Sequence, residues 1–220
     1  MTLKDIHIYE HPDVSSVREL HAGILKSFDY SDSILGLLDR MAGNLYEANA
    51  AGDPRSLVEI RNFLNSGTQD EKEGMTRISL LEARDIMARQ HGFADWEEAK
   101  YGGRNYLQPE FETVVDLLVS GKIKSLEEIL NDHPHLVIQR SAFYHKASLL
   151  HYVSANGVEI RRQTVPQNLP EIVSLLIRFG AEKDARGYFY GRMMDTESLI
   201  RSGAHTQQAG VFDKIMHLLN

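Results

Sequence analysis

The sequence predicts an all-α protein, a stack of helical repeats preceded by a helical cap, and three observations predict it. Apolar and polar residues alternate at strand spacing only around Ile6 to Tyr9. From residue 32 onward, stretches with apolar residues at helical spacing follow one another, separated by glycine or proline. Gly121, Gly157 and Gly203 each close the first helix of a helix pair, and the second helices end at Ile129-Leu130, Leu175-Leu176 and Leu218-Leu219. Each pair is apolar on two sides and cannot bury that surface alone, so stacking is the natural solution. The expected organisation is an N-terminal helical region (1–75), a helical lead-in or cap (76–108), and three repeats at 109–140, 146–185 and 194–220.

The elements follow in order. Ile6 to Tyr9 reads as a short strand. In DSILGLLDRMAGNLYEANA, residues 32 to 50, Ile34, Leu37, Leu38, Met41 and Leu45 fall on one helical face, with Asp32 or Ser33 as cap and Gly52 as stop. A second helix is expected from Pro54 to Leu64, with proline in its first turn and Leu57, Ile60, Phe63 and Leu64 on its buried side. The polar run TQDEKEG, residues 68 to 74, reads as a surface connector. In 78–100, Leu81, Ile86 and Met87 make an apolar stripe, Gly92 ends the helix, and Phe93 and Trp96 cover the turn as core. Tyr101-Gly102-Gly103 is a linker. FETVVDLLVS, residues 111 to 120, is an amphipathic helix ending at Gly121, and SLEEILNDHP supplies the next, with Ser125 and Glu128 as a capping box and Pro134 beyond its end.

Composition sets the limits. A chain of 220 residues with 42% hydrophobic residues can bury one sizeable core, or one core and a smaller lobe. With no cysteine, disulfides, cysteine zinc sites, iron–sulfur clusters and thiol nucleophiles are excluded. The start, MTLKDIHIYEHPD, lacks the pattern of a secretory signal, and no run approaches the ~18 apolar residues of a membrane helix. The expectation is a cytoplasmic protein with no membrane association. The net charge is −7, and its excess lies in residues 1–110, with 12 Lys+Arg against 19 Asp+Glu, while residues 111–220 carry 12 against 12. An acidic total argues against nucleic acid as a partner.

One unit carries a family likeness. Ser148-Leu149-Leu150-His151, then Ser154-Ala155, Gly157 and Glu171 to Ala181 (EIVSLLIRFGA), resemble the ankyrin repeat, whose pattern is a Thr-Pro-Leu-His turn, Ala-Ala, a glycine, and a leucine-rich helix closed by Gly-Ala. The departures are serine and leucine in place of Thr-Pro, and an insertion, VEIRRQTVPQNLP, between the two helices. The glycine spacings are 36 and 46 residues, the first close to the ~33-residue ankyrin period. Residues 111–135 keep the helix lengths without the turn signature, and TESLIRSGAHTQQAGVFDKIMHLLN is looser still. Residues 78–100 look similar to a helical lead-in found before some divergent bacterial ankyrin arrays. The resemblance implies an ankyrin-like α-solenoid with Leu150, His151, Ala155, Gly157, Leu175, Leu176, Gly180 and Ala181 as signature positions. It further implies that His151 hydrogen-bonds between neighbouring turns, that the connectors project as fingers, and that the function is non-catalytic protein binding.

Both connectors are aromatic and basic. The first holds Arg140, Phe143, Tyr144, His145 and Lys146; the second holds Arg186, Tyr188, Phe189, Tyr190 and Arg192. Tyrosine and arginine combine large buried area with a directional polar tip and dominate interface energetics. The expected partner-binding set is therefore Arg140, Tyr144, Lys146, Tyr152, Arg186, Tyr188, Tyr190 and Arg192, with Phe143 and Phe189 tucked beneath as core. Residues 136–205 carry nine Lys+Arg against six Asp+Glu, which favours an acidic segment of a partner protein. Arg161 and Arg162 of the insertion add to this groove or sit on the opposite rim. A homodimer through the open last repeat is an alternative assembly. The rival function is a metal-dependent enzyme or metal-binding protein using His133, His135, His145 or His151. It lacks a ligand spacing such as HExxH, and no serine elbow, phosphate loop or dinucleotide fingerprint accompanies it, so no cofactor and no metal are expected.

Overall fold

Helix-forming segments account for most of the chain. The computed structural model describes residues 6–29, 31–64 and 77–220, without the side chains of residues 62–64. Among these residues there are twelve α-helices and four three-residue strands. The connector expected at 68–74 and the side chains of Phe63 and Leu64 lie outside the described residues. Two compact units are present, residues 12–107 and residues 108–220 together with the N-terminal residues to His11.

The first unit comprises α1 (Pro12–Lys26), α2 (Ile34–Ala51), α3 (Ser56–Leu64), α4 (Leu80–Gln90) and α5 (Trp96–Gly102). α2 is its centre, packing on α1, α3 and most extensively α4. Its start is fixed by Ser33, whose side chain accepts from the Gly36 N–H, and its end by Gly52 in the left-handed region at φ +79°. Ile34, Leu37, Leu38, Met41 and Leu45 are all buried. In α4 a capping box joins Ser79 and Glu82, and the buried face runs through Ala83, Ile86 and Met87. Leu81, expected in that stripe, is 58% exposed because two residues at about 100° each turn it away from Ala83. Leu57 is likewise exposed, since α3 starts at Ser56 and leaves Pro54 in the preceding turn. Trp96 is buried, with the Arg84 guanidinium 5.5 Å from its ring centre.

The second unit holds α6 (Pro109–Val119), α7 (Ile123–Asp132), α8 (Leu149–Val153), α9 (Leu169–Arg178), α10 (Thr196–Ser202), α11 (His205–Gln208) and α12 (Phe212–Leu219). Within pairs, α6 packs on α7, α8 on α9 and α10 on α12. Between pairs, α6 meets α8 and α8 meets α10, while α7 meets α9 and α9 meets α12. One apolar cluster runs through the unit from Phe111 to Leu219. α7 begins at Ile123, two residues before Ser125, so Ser125 and Glu128 lie inside the helix and the capping box expected there does not form. The last helix buries Ile215, Met216 and Leu219 within its own chain, so the face expected to remain open to a second copy is covered.

Four short strands complete this unit. β1 (Ile8–Glu10) pairs antiparallel with β2 (Thr164–Pro166), setting Ile8 opposite Pro166 and Glu10 opposite Thr164. β2 lies in the insertion between α8 and α9, so the lengthened turn captures the N-terminal strand. Thr164 donates to the Val119 carbonyl at 2.9 Å and Asn168 to the Gly121 carbonyl at 2.9 Å, which binds the insertion to the α6–α7 turn. β3 (Gly187–Phe189) and β4 (Arg192–Met194) form an antiparallel hairpin.

Candidate functional site

The start of α8 sets the geometry from which the site is built. The Ser148 N–H donates to His151 Nδ1 at 3.0 Å, with Ser148 Oγ at 2.7 Å from the same nitrogen. Nδ1 is thus the acceptor, the proton sits on Nε2, and that group donates to the Met194 carbonyl at 3.2 Å, tying α8 to β4. Burial holds His151 neutral and lowers its pKa to about 4. His145 behaves alike: its Nδ1 accepts from the Ala147 N–H at 3.0 Å, burial lowers its pKa to about 4, and its ring stacks on Phe189 with centroids 5.6 Å apart.

On this base the two connectors meet. The first closes on itself where the Ser141 N–H donates to the Ala147 carbonyl at 2.8 Å. The Tyr188 N–H then donates to the His145 carbonyl at 2.8 Å, and Arg140 donates to the carbonyls of Arg186 at 3.0 Å and Lys146 at 3.3 Å. Tyr144 and Tyr188 touch edge to face across the two segments, with centroids 6.1 Å apart. Gly187 is required here, because a Cβ would lie 2.7 Å from the His145 carbonyl oxygen. β3 and β4 are joined by Tyr190 and Gly191 alone, both at positive φ (+51° and +75°), the conformation of a two-residue type I′ turn. The Tyr190 hydroxyl donates to Asn156 Oδ1 at 2.6 Å while its residue stays 65% exposed, and Met193, opposite Tyr188, is 57% exposed.

The connectors therefore assemble Arg140, Tyr144, Lys146, Arg186 and Tyr188 into one surface, with Tyr190 and Arg192 at its turn. Phe143 and Phe189 are buried beneath. Among the described residues, Arg140 has Glu182 at 3.7 Å, whereas Lys146, Arg186 and Arg192 have no carboxylate at ion-pair distance. Tyr152 does not belong to this surface. It is 1% exposed, its hydroxyl donates to Glu159 at 3.3 Å, and it has no face to offer a partner.

Tyr152 instead borders a buried ionic cluster for which sequence reasoning supplied no role. Arg162, placed by the 3-10 turn Ile160–Arg162, contacts Glu112 at 2.5 Å, Asp116 at 2.9 Å and Glu159 at 3.5 Å. Burial opposes its charge, but Glu112, Glu159 and Asp116 outweigh that and hold the guanidinium protonated. Burial pushes the Glu112 carboxyl above its usual range, against the pull of Arg162. Arg162 was expected on a groove or rim; it is a core residue that fastens the insertion to α6. The sequence signal was slight: an Arg-Arg pair in a mixed insertion that runs to Pro166 and Pro170.

The remaining expected positions fall as follows. Leu150, Ala155, Leu175 and Leu176 are buried. At Gly157, φ is +74° and a Cβ would lie 3.0 Å from Leu199 and Phe189 side-chain atoms. Gly180, at φ +95°, and Ala181 close α9 through N–H groups that donate to the Ile177 and Leu176 carbonyls, each at 2.9 Å. His133 and His135 are exposed at the end of α7, and His151 has both ring nitrogens engaged. Among the described residues no group of three or more His, Asp or Glu is placed to hold a metal ion, and no helix is long and apolar enough to cross a membrane. No family model, curated protein or solved structure matches the chain.

Proposed function

We propose that the chain is a non-catalytic protein-binding module of degenerate ankyrin type, in which three helix pairs stack as an α-solenoid and the two connectors form the docking edge. The observation that carries this reading is the joined surface of Tyr144 and Tyr188, flanked by Lys146, Arg186 and Arg192, which lack carboxylate partners among the described residues. Tyr188, exposed, and the half-buried Tyr144 beside it supply area at low entropic cost, and cations without carboxylate partners supply direction, so an acidic segment of another protein is the fitting partner. The pairwise contacts of α6, α8 and α10, and of α7, α9 and α12, support the stacked arrangement. His151, spanning from Ser148 to Met194, supports the ankyrin assignment of the middle unit. Tyr190 adds to the reading: a bulky residue in the left-handed region costs about 1–2 kcal/mol, a strain commonly kept at functional positions.

The test is affinity capture with the wild-type chain and with Tyr144→Ala/Tyr188→Ala/Tyr190→Ala, after thermal melting has shown both folded. Loss of a partner from the triple variant is expected. Undiminished recovery of every partner would remove the connectors from the interface.

A further inference from the structure

We infer that β4 is an acceptor edge for strand addition, taking an extended acidic segment of a partner protein through the outward backbone groups of Met193; this rests on the docking edge proposed above and specifies how it binds. The two-residue turn makes Phe189 and Arg192 the hydrogen-bonded closing pair, so the next pair, Tyr188 and Met193, must point its backbone groups away from the hairpin. On the β3 side that outward group is used: the Tyr188 N–H donates to the His145 carbonyl, so the first connector is added to the hairpin by one backbone bond. On the β4 side, Met193 is 57% exposed, and its N–H and C=O are bonded to no described residue. The chain thus already bonds a turn of its first connector to one edge of this hairpin and leaves the other open.

Charge selects the occupant. Arg192 adjoins Met193 on β4, and Arg186 and Lys146 flank the same sheet without carboxylates at ion-pair distance. A second copy pairing β4 with β4 about Met193 would set Arg192 opposite Met194 and leave its charge unanswered, whereas an acidic strand would neutralise it. Backbone bonds to Met193 would supply affinity, and contacts of alternate side chains with Tyr188 and Arg192 would supply selectivity.

The experiment selects binders from a random linear-peptide display library on the full chain, then measures selected synthetic peptides by fluorescence anisotropy. Acidic peptides are expected. Methylating their backbone nitrogens one at a time should weaken binding at every second position by about tenfold, the loss expected when one hydrogen bond is left unmade. Met193→Pro, which removes an outward N–H without touching the hairpin's own bonds, should weaken binding similarly, while Met193→Ala should not. A methylation scan without period two, with binding still lost in Tyr144→Ala/Tyr188→Ala, would overturn strand addition and leave the docking edge standing. Peptides indifferent to both tyrosines would overturn both. Self-association of the chain in sedimentation that Met193→Pro abolishes would assign the edge to a second copy and overturn the acidic partner.

Discussion

His145 and His151 are neutral, buried rings whose pKa values lie at about 4 in the folded chain, against about 6.5 for an unperturbed histidine. Between these values the unfolded chain binds more protons than the folded one. The stability from these residues is therefore complete above about pH 6.5 and is lost as pH falls toward 4, by up to about 3 kcal/mol each. Glu112, raised by burial, acts in the opposite sense across its own window and reduces the net slope. Urea unfolding should give a lower free energy at about pH 5 than at about pH 7.5, and His145→Gln or His151→Gln should shrink the difference; an unchanged slope in both variants would contradict the burial of the neutral rings. Arg162 makes the second prediction at this scale. Arg162→Met should cost about 3–5 kcal/mol, because it strands Glu112 and Glu159 in the core, and Arg162→Met/Glu112→Gln should recover part of it in the same assay. The two cases differ in what a sequence can show. Ser148 and His151 stand three residues apart, so their contact is local; Arg162 finds Glu112 fifty residues earlier, a pairing with no local signature.

At the scale of elements, helical periodicity was legible in α2 and α6, whereas α1, with Val14, Val17 and Leu20 on its buried face, was not foreseen. It misled at Leu57 and Leu81, because a helix start displaced by one or two residues rotates terminal positions off the face. It also misled at Ser125 and Glu128, since spacing alone cannot distinguish a cap from two positions one turn apart inside α7. The insertion was legible as an interruption and no more, for its partner strand lies at the other end of the chain. Gly121 makes its importance measurable. At φ +72°, a Cβ there would lie 2.8 Å from Asn168 Oδ1 and 2.9 Å from Pro166 Cβ, both in or beside the inserted segment. Gly121→Ala should therefore lower stability by about 1–3 kcal/mol and speed amide exchange in β2. Gly43→Ala, mid-helix in α2 with nothing within 4 Å of the new Cβ, should stabilise by about 0.5–1 kcal/mol. Equal effects of the two substitutions in denaturant unfolding would contradict this account of the α6–α7 turn.

For the whole molecule, the predominance of helix was readable from periodicity, while the assembly of one unit from both ends of the chain was not. Residues to His11 belong with 108–220, while residues 12–107, which separate them in sequence, form the other unit; β1 pairs with β2 across more than 150 residues. The connectors were legible as aromatic and basic, but Tyr152 shows the limit of composition: it lies between them in sequence and is core in space. The central claim is that a partner seats on the joined connectors. It is tested most directly by placing a photo-crosslinking amino acid at Tyr188 and, in a separate protein, at the more exposed surface residue Tyr101. The account predicts that a discrete protein is crosslinked at 188, that the adduct maps to an acidic segment, and that position 101 does not yield it. Crosslinking of that protein at 101 and not at 188 would contradict the claim.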